Sequence, residues 1–152
     1  MHSSKQPPEN LKFVHEYTEL LAAAGLTRSA GKVLSYLIIC HPPKKTARDL
    51  QQTLGLSSGS VSMATTLLAQ AKLINEIKLP NERKLYYEVK PDAFTRSIEQ
   101  RVQLSAAVRK LAERELESDP NNPRLINMRD TYELLEKAIV STFQSLNTER
   151  KK

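Results

Sequence analysis

Residues 46–90, TARDLQQTLGLSSGSVSMATTLLAQAKLINEIKLPNERKLYYEVK, read as two short helices joined by a tight turn and followed by a basic hairpin. Thr46 offers a hydroxyl that caps the first helix, with Asp49 three residues on in the place a capping-box Glu usually holds. Ala47, Leu50 and Leu54 form its buried stripe. Gly55 supplies a residue able to take positive φ at the helix end, Leu56 plugs the turn, and Ser57 or Ser58 caps the next helix. Two short helices joined this closely predict a helix-turn-helix.

In the second helix, spanning 58–71, Val61, Ala64, Leu68 and Ala71 recur at three- and four-residue spacing, with Leu67 at the margin, so that side is expected to face the core. The opposite face carries Ser58, Gly59, Ser62, Met63 and Thr66. Small, uncharged and rich in hydroxyls, it suits a helix lying in a major groove and meeting base edges and phosphates through short side chains. The plainer alternative is an ordinary solvated polar face.

Leu73, Ile74, Ile77 and Leu79 predict an apolar strand, Pro80-Asn81-Glu82 a turn, and Leu85-Tyr86-Tyr87-Glu88-Val89 the returning strand of a two-stranded wing. Arg83 and Lys84 then sit at or just past the hairpin tip. A lone basic pair on a loop is usually a solvated surface, but a hairpin placed after a reading helix can reach the neighbouring minor groove or phosphates, the reading favoured for Arg83. Lys84 reads equally as a phosphate contact or a bystander.

Charge concentrates on the same stretch. Residues 28–90 hold ten Lys or Arg against four acids, an excess of six that equals the net charge of the whole chain, while the flanks on either side are close to neutral. Neutralisation of phosphates by Lys and Arg is the main source of sequence-independent DNA affinity. The residues expected to meet DNA are Arg28, Lys44, Lys45, Arg48, Ser58, Gly59, Ser60, Ser62, Met63, Thr66, Arg83 and Lys84.

The run Gly25-Leu26-Thr27-Arg28-Ser29-Ala30-Gly31-Lys32-Val33, followed by Ser57-Ser58-Gly59-Ser60-Val61-Ser62-Met63-Ala64, resembles GbsR-type regulators, a branch of the MarR-like winged-helix repressors. The resemblance continues through Asn81-Glu82-Arg83-Lys84-Leu85-Tyr86-Tyr87 to Pro91-Asp92-Ala93-Phe94. It implies a homodimeric bacterial transcription factor with its reading helix at Ser58 to Ala71 and its wing around Arg83, and many members are repressors released by a small molecule or a signal. Such an effector would sit between the winged domain and the dimer helices. Tyr17, Tyr36, Phe94 and Tyr132 are aromatic candidates for the pocket wall, although core packing explains each equally well, and no ligand residue is assigned.

Three positions depart from that pattern. Lys72 stands where relatives often carry Gly, so either a left-handed conformation there costs on the order of 1 kcal/mol or the helix ends differently. Asn81 replaces a wing-tip Gly, a mild change because Asn tolerates positive φ. Met63 follows the Val-Ser pair where broader MarR-type proteins often place Arg, so a strong base contact of the wider family is missing.

Beyond the reader, two long helical stretches flank a break at Asp119-Pro120-Asn121-Asn122-Pro123. Residues 92–117 carry apolar positions at Phe94, Ile98, Val102, Leu104, Val108, Leu111 and Leu116, in a helical but imperfect period. From about Arg124 to Leu146 the stripe is cleaner: Leu125, Met128, Tyr132, Leu135, Ile139, Phe143 and Leu146. It must be buried against its own winged domain or against a second chain. Two long amphipathic helices leave more apolar stripe than one compact winged domain covers, which favours a homodimer on a palindromic operator.

The expected organisation is mainly α (α+β): a disordered start at 1–8, an N-terminal helix within 9–25 contributing to the dimer interface, a winged helix-turn-helix at 26–90 and a helical dimerisation region at 91–149. Helix 27–40 is Thr-capped and sends Val33, Leu34, Leu37 and Ile38 into the core, ending at Pro42-Pro43. No stretch approaches the roughly twenty apolar residues of a membrane helix. A single cysteine, Cys40, excludes an internal disulfide and fits a reducing cytoplasm, where the protein would act on the nucleoid. Its place at the end of an apolar run favours a buried structural thiol over a redox switch. The three histidines and one cysteine match no metal spacing, no cofactor motif is present, and nothing builds a catalytic site, so an enzyme is not expected. The competing class is a winged-helix module for protein assembly or DNA architecture without sequence-specific binding.

Overall fold

The computed structural model describes residues 11–151, in two units whose boundary falls between Ala93 and Phe94. The expected disordered start at 1–8 lies outside the described residues. The first unit runs α1 (Leu11–Ala23), α2 (Arg28–Ile39), β1 (Lys45–Thr46), α3 (Ala47–Leu54), α4 (Ser58–Gln70), β2 (Ile74–Lys78) and β3 (Leu85–Val89). The second is formed by α5 (Ala93–Leu116) and α6 (Pro123–Arg150).

The centre of the first unit is α2, apolar on almost every side and therefore buried on almost every side. Ala30, Val33, Leu34, Tyr36 and Leu37 from it meet Val14 of α1, Leu50 of α3, Val61, Ala64 and Leu68 of α4, and Ile74 and Tyr87 of the sheet. Thr27 caps α2 as its sequence predicts, accepting from the Ala30 amide at 3.2 Å. Tyr36 is part of this core, and Cys40 is buried beside it at the helix end. Gly31 has a specific reason to be Gly: a Cβ there would lie 3.2 Å from Thr18 Cγ2, so its absence lets α1 and α2 approach closely. The buried Thr18 and Ser35 hydroxyls donate to carbonyls one turn back in their own helices, both at 2.6 Å, so neither is left unpaired.

The capping box at Thr46 forms in full. The Asp49 amide donates to Thr46 Oγ1 at 3.2 Å, and the Thr46 amide and hydroxyl donate to Asp49 Oδ2 at 2.9 and 2.8 Å. Partial burial pushes the Asp49 carboxyl up, but the two Thr46 donors and the nearby Lys45 and Lys84 outweigh it and hold the group below its ordinary value. A depressed folded-state value means that the ionised carboxylate stabilises the fold above the unfolded value, about pH 4 for Asp, and that this contribution is lost as pH falls through the folded value. Asp49→Ala is therefore expected to cost about 1 kcal/mol at pH 7. The gap from wild type in urea unfolding should close as the pH is taken below about 4. A gap that widens on acidification would contradict the cap.

Helices α1, α3 and α4 end in the same way. A residue in the left-handed region, Gly25, Gly55 or Lys72, is followed by one whose amide reaches back five residues: Leu26 to Leu21, Leu56 to Gln51 and Leu73 to Leu68. Two of these positions are the glycines that the geometry favours. At the third, Lys72 takes φ 58°, the first of the two ways the helix could end there, at a cost of about 1 kcal/mol. Asn81 does the same at the wing tip, with φ 63°.

The structure corrects several expectations. The wing is part of a three-stranded antiparallel sheet ordered β1-β3-β2, with Lys45 opposite Tyr87 and Thr46 opposite Tyr86, so a third strand joins the predicted pair. Ala71 is exposed instead of buried, because α4 stops at Gln70 and Ala71 is already its cap. The position that completes the buried face is Thr65, whose hydroxyl donates to the carbonyls of Val61 at 2.9 Å and Ser62 at 3.1 Å and is thus tolerated inside.

In the second unit α6 begins at Pro123, with Asn122 Oδ1 accepting from the amides of Arg124 at 3.0 Å and Leu125 at 3.3 Å, and it runs four residues past the expected end at Leu146. The helices form an antiparallel hairpin in which Arg109 Nε meets Glu136 Oε2 at 2.9 Å and Phe94 and Ile98 lie by Phe143 and Leu146. The buried stripe of α5 is Ser105, Ala112 and Leu116, flanked by half-buried Val102 and Val108, whereas Leu104 and Leu111 lie on its exposed surface. The irregular period of the α5 sequence thus resolves into two stripes, one facing α6 and one facing outward.

Candidate nucleic-acid interface

α4 is fixed from behind by Val61, Ala64 and Leu68, which pack against α2 and α3, and this turns the predicted face outward. Ser58, Gly59, Ser62, Met63 and Thr66 are all exposed. Ser60 differs: its amide donates to Ser57 Oγ at 3.1 Å and its hydroxyl accepts from that of Ser57 at 3.0 Å, so it serves the cap and is half-buried. Of the two candidate serines, Ser57 is the cap.

A second group of predicted residues gathers where β1 meets β3 and α3 begins. The Lys44 ammonium lies 5.7 Å from the centre of the Tyr86 ring, a cation–π distance. Lys45 Nζ donates to the His41 carbonyl at 3.0 Å, and Lys45 and Lys84 both bear on the Asp49 carboxylate. Arg48 is exposed in the first turn of α3. Tyr86 joins this group although the sequence places it only in the returning strand. Its hydroxyl donates to Glu82 Oε2 at 2.7 Å, tying the wing turn to the strand, and that bond together with some desolvation holds the phenol above its ordinary value. Its signal was the alternation Leu85-Tyr86-Tyr87, which puts Tyr87 in the core and leaves Tyr86 on the other face.

Arg83 and Lys84 are exposed in the turn between β2 and β3, closed by the Glu82 amide donating to the Leu79 carbonyl at 3.2 Å. Arg28 stands apart from this group, at the start of α2, where it makes an ion pair with Glu19 of α1. Mainly through that hydrogen bond, the pair lowers the Glu19 carboxyl and raises the Arg28 guanidinium from their ordinary values. Its charge is therefore partly spent within the fold. Of the predicted pairing residues in the second unit, Leu125, Met128, Tyr132, Ile139 and Phe143 are half-buried, and Leu135 and Leu146 are exposed. Among the described residues no cluster of His, Cys, Asp and Glu could hold a metal ion, and no helix is long and apolar enough to cross a membrane.

No protein-family model matches the chain. The HTH-type transcriptional regulator MmpR5 of Mycobacterium tuberculosis is 28% identical to it over 137 residues, spanning 87% of this chain and 83% of its own. A crystal structure described as that of a transcriptional regulator is 26% identical, covers 91% of this chain and 97% of its own, and superposes with a TM-score of 0.75. The MarR family regulator NMB1585 of Neisseria meningitidis, 13% identical over 91% of this chain and 89% of its own, overlays only loosely, at a TM-score of 0.43. With a capped helix-turn-helix, a basic wing, and two transcriptional regulators, 28% and 26% identical, matching it over most of its length, the chain is a winged helix-turn-helix transcriptional regulator, a DNA-binding protein and not an enzyme.

Proposed function

We propose that the chain acts as a homodimeric, sequence-specific repressor that sets α4 into the major groove of a palindromic operator and lays the wing around Arg83 on the adjoining phosphates or minor groove. The observation that carries this reading is the meeting, within residues 28–90, of an excess of six positive charges with a helix face free of charge: Ser58, Gly59, Ser62, Met63 and Thr66. The cations give affinity for any duplex, while short uncharged side chains let the helix come close enough to base edges for sequence to be read. Duplex DNA is favoured over A-form RNA, whose deep, narrow major groove excludes a helix.

Pairing is supported by the second unit, where Leu104 is 61% exposed, Leu135 42% and Leu146 45%, and where Leu125, Met128, Tyr132, Ile139 and Phe143 of α6 are only half-buried. A second copy would cover them, and two-fold symmetry would set two reading helices about one DNA turn apart. Release by a small-molecule effector and action on the cytoplasmic nucleoid complete the proposal; the family resemblance supports the first, and the single buried thiol of Cys40 the second.

Arg83→Ala tests the wing. The residue is exposed in a turn, so the melting temperature should not move, while operator affinity is expected to fall by roughly tenfold. The slope of log affinity on log salt should shrink by about two, one for each protomer's lost phosphate contact. Unchanged affinity and slope would take the wing out of the interface.

A further inference from the structure

Met63 is 76% exposed, more than any other large apolar side chain among the described residues, and it stands in the middle of a face otherwise made of hydroxyls and glycine. Nothing in the fold accounts for it. The core side of α4 is complete without it, and a serine or threonine there would match its neighbours. Three residues on, and so beside it on the helix surface, Thr66 adds a second methyl group to the same face. Next to Met63 opens a shallow hollow of about 540 Å³, walled by Ala64 and Leu67 on α4 and by Thr27 and Ser29 at the start of α2. The reading face therefore carries an apolar ridge with hydroxyls around it, in a unit whose net positive charge matches a polyanion.

One base in duplex DNA offers an apolar group in the major groove: thymine, through its C5-methyl. We propose that Met63, with Thr66 beside it, recognises thymine methyl groups, so that the protein reads A·T pairs in the core of each half-site by apolar contact where a charged reader would take guanine. The inference rests on the DNA-reading function proposed above and specifies what α4 reads. Methionine suits the task because its flexible, polarisable side chain adapts to a methyl whose position varies from step to step. An unbranched apolar side chain on an exposed helix face is also free to reorient on binding without disturbing the core.

The test separates this claim from the function on which it rests. A duplex enriched from a random pool by the wild-type protein is prepared with thymine and again with uracil in place of every thymine, which deletes the methyl groups and keeps the pairing. Wild type is expected to lose about fourfold in affinity for each methyl it contacts, the factor carried by burying one carbon. Met63→Gln should lose most of the preference, keeping only the part that the Thr66 methyl carries, and Met63→Leu should restore the preference for thymine. Equal binding of both duplexes by wild type would overturn the proposal while leaving the DNA reader intact, and so would an unchanged thymine preference in Met63→Gln. If the pool yields no enriched sequence, the specific reader fails and the proposal fails with it. All three proteins should melt together, since Met63 packs against nothing in the core.

Discussion

Leu135→Asp combined with Ile139→Asp is expected to turn a dimer into a monomer, read as a halving of mass in light scattering. Leu135 is 42% exposed in the single chain and Ile139 half-buried, both on the α6 stripe that runs through Tyr132 and Phe143. In a two-fold pair that stripe meets its own copy, so two substitutions bring four carboxylates to one seam. Burying an ion without a partner costs several kcal/mol, and like charges facing each other add to it. The monomer escapes most of this penalty because Leu135 already meets solvent, and its helical content by circular dichroism should be kept. Leu135→Asp alone is the gentler variant and should weaken the dimer without touching the half-buried position. Separation also removes the second half-site contact, so apparent operator affinity is expected to fall by about two to four orders of magnitude, the usual gain from linking two binding modules. A double variant that stays dimeric would move the seam elsewhere, and the outward α5 stripe at Leu104 and Leu111 is the next apolar surface to which it could move.

Local chemistry made the helix-turn-helix legible. Caps and turns are decided by residues close in sequence, so Thr46 with Asp49, Gly55, Ser57, Lys72 and Asn81 all fall where their side chains or their φ requirements put them. Features that depend on residues far apart in the chain were harder to read. β1 is two residues long, too short for any periodic signal, and exists because Lys45 and Thr46 meet Tyr87 and Tyr86 about forty positions later. Thr65 lies in the core because its hydroxyl is satisfied by its own helix, which a polar letter in the sequence does not announce. On α5 a single list of apolar residues concealed two stripes, because Leu104 and Leu111 are seven apart and so share a face away from Ser105 and Ala112. At the candidate interface, composition pointed to the cations, but it could not show that Arg28 would be paired with Glu19 or that Ser60 would serve the Ser57 cap.

The pairing of Arg28 bears on the strength of the electrostatics. Arg28 excepted, the predicted basic contacts are Lys44, Lys45, Arg48, Arg83 and Lys84, and a dimer doubles that set. If each neutralises one phosphate, the slope of log affinity on log salt approaches about −9, and between 50 and 200 mM salt the affinity falls by up to about five orders of magnitude. This dependence is the largest effect expected of the protein. It belongs to the phosphate contacts, so it should act alike on specific and non-specific duplexes and leave their ratio nearly unchanged. The measurement that tests the central claim most directly is therefore the binding of the purified protein, across salt, to the duplex upstream of its own gene and to a scrambled duplex of the same length. A sequence-specific reader should bind the first more tightly by at least three orders of magnitude at physiological salt, with both curves falling steeply and nearly in parallel. Equal, weak binding to both would contradict the specific reader and leave an architectural role, and no binding at the lowest salt would make the basic wing a surface for protein assembly.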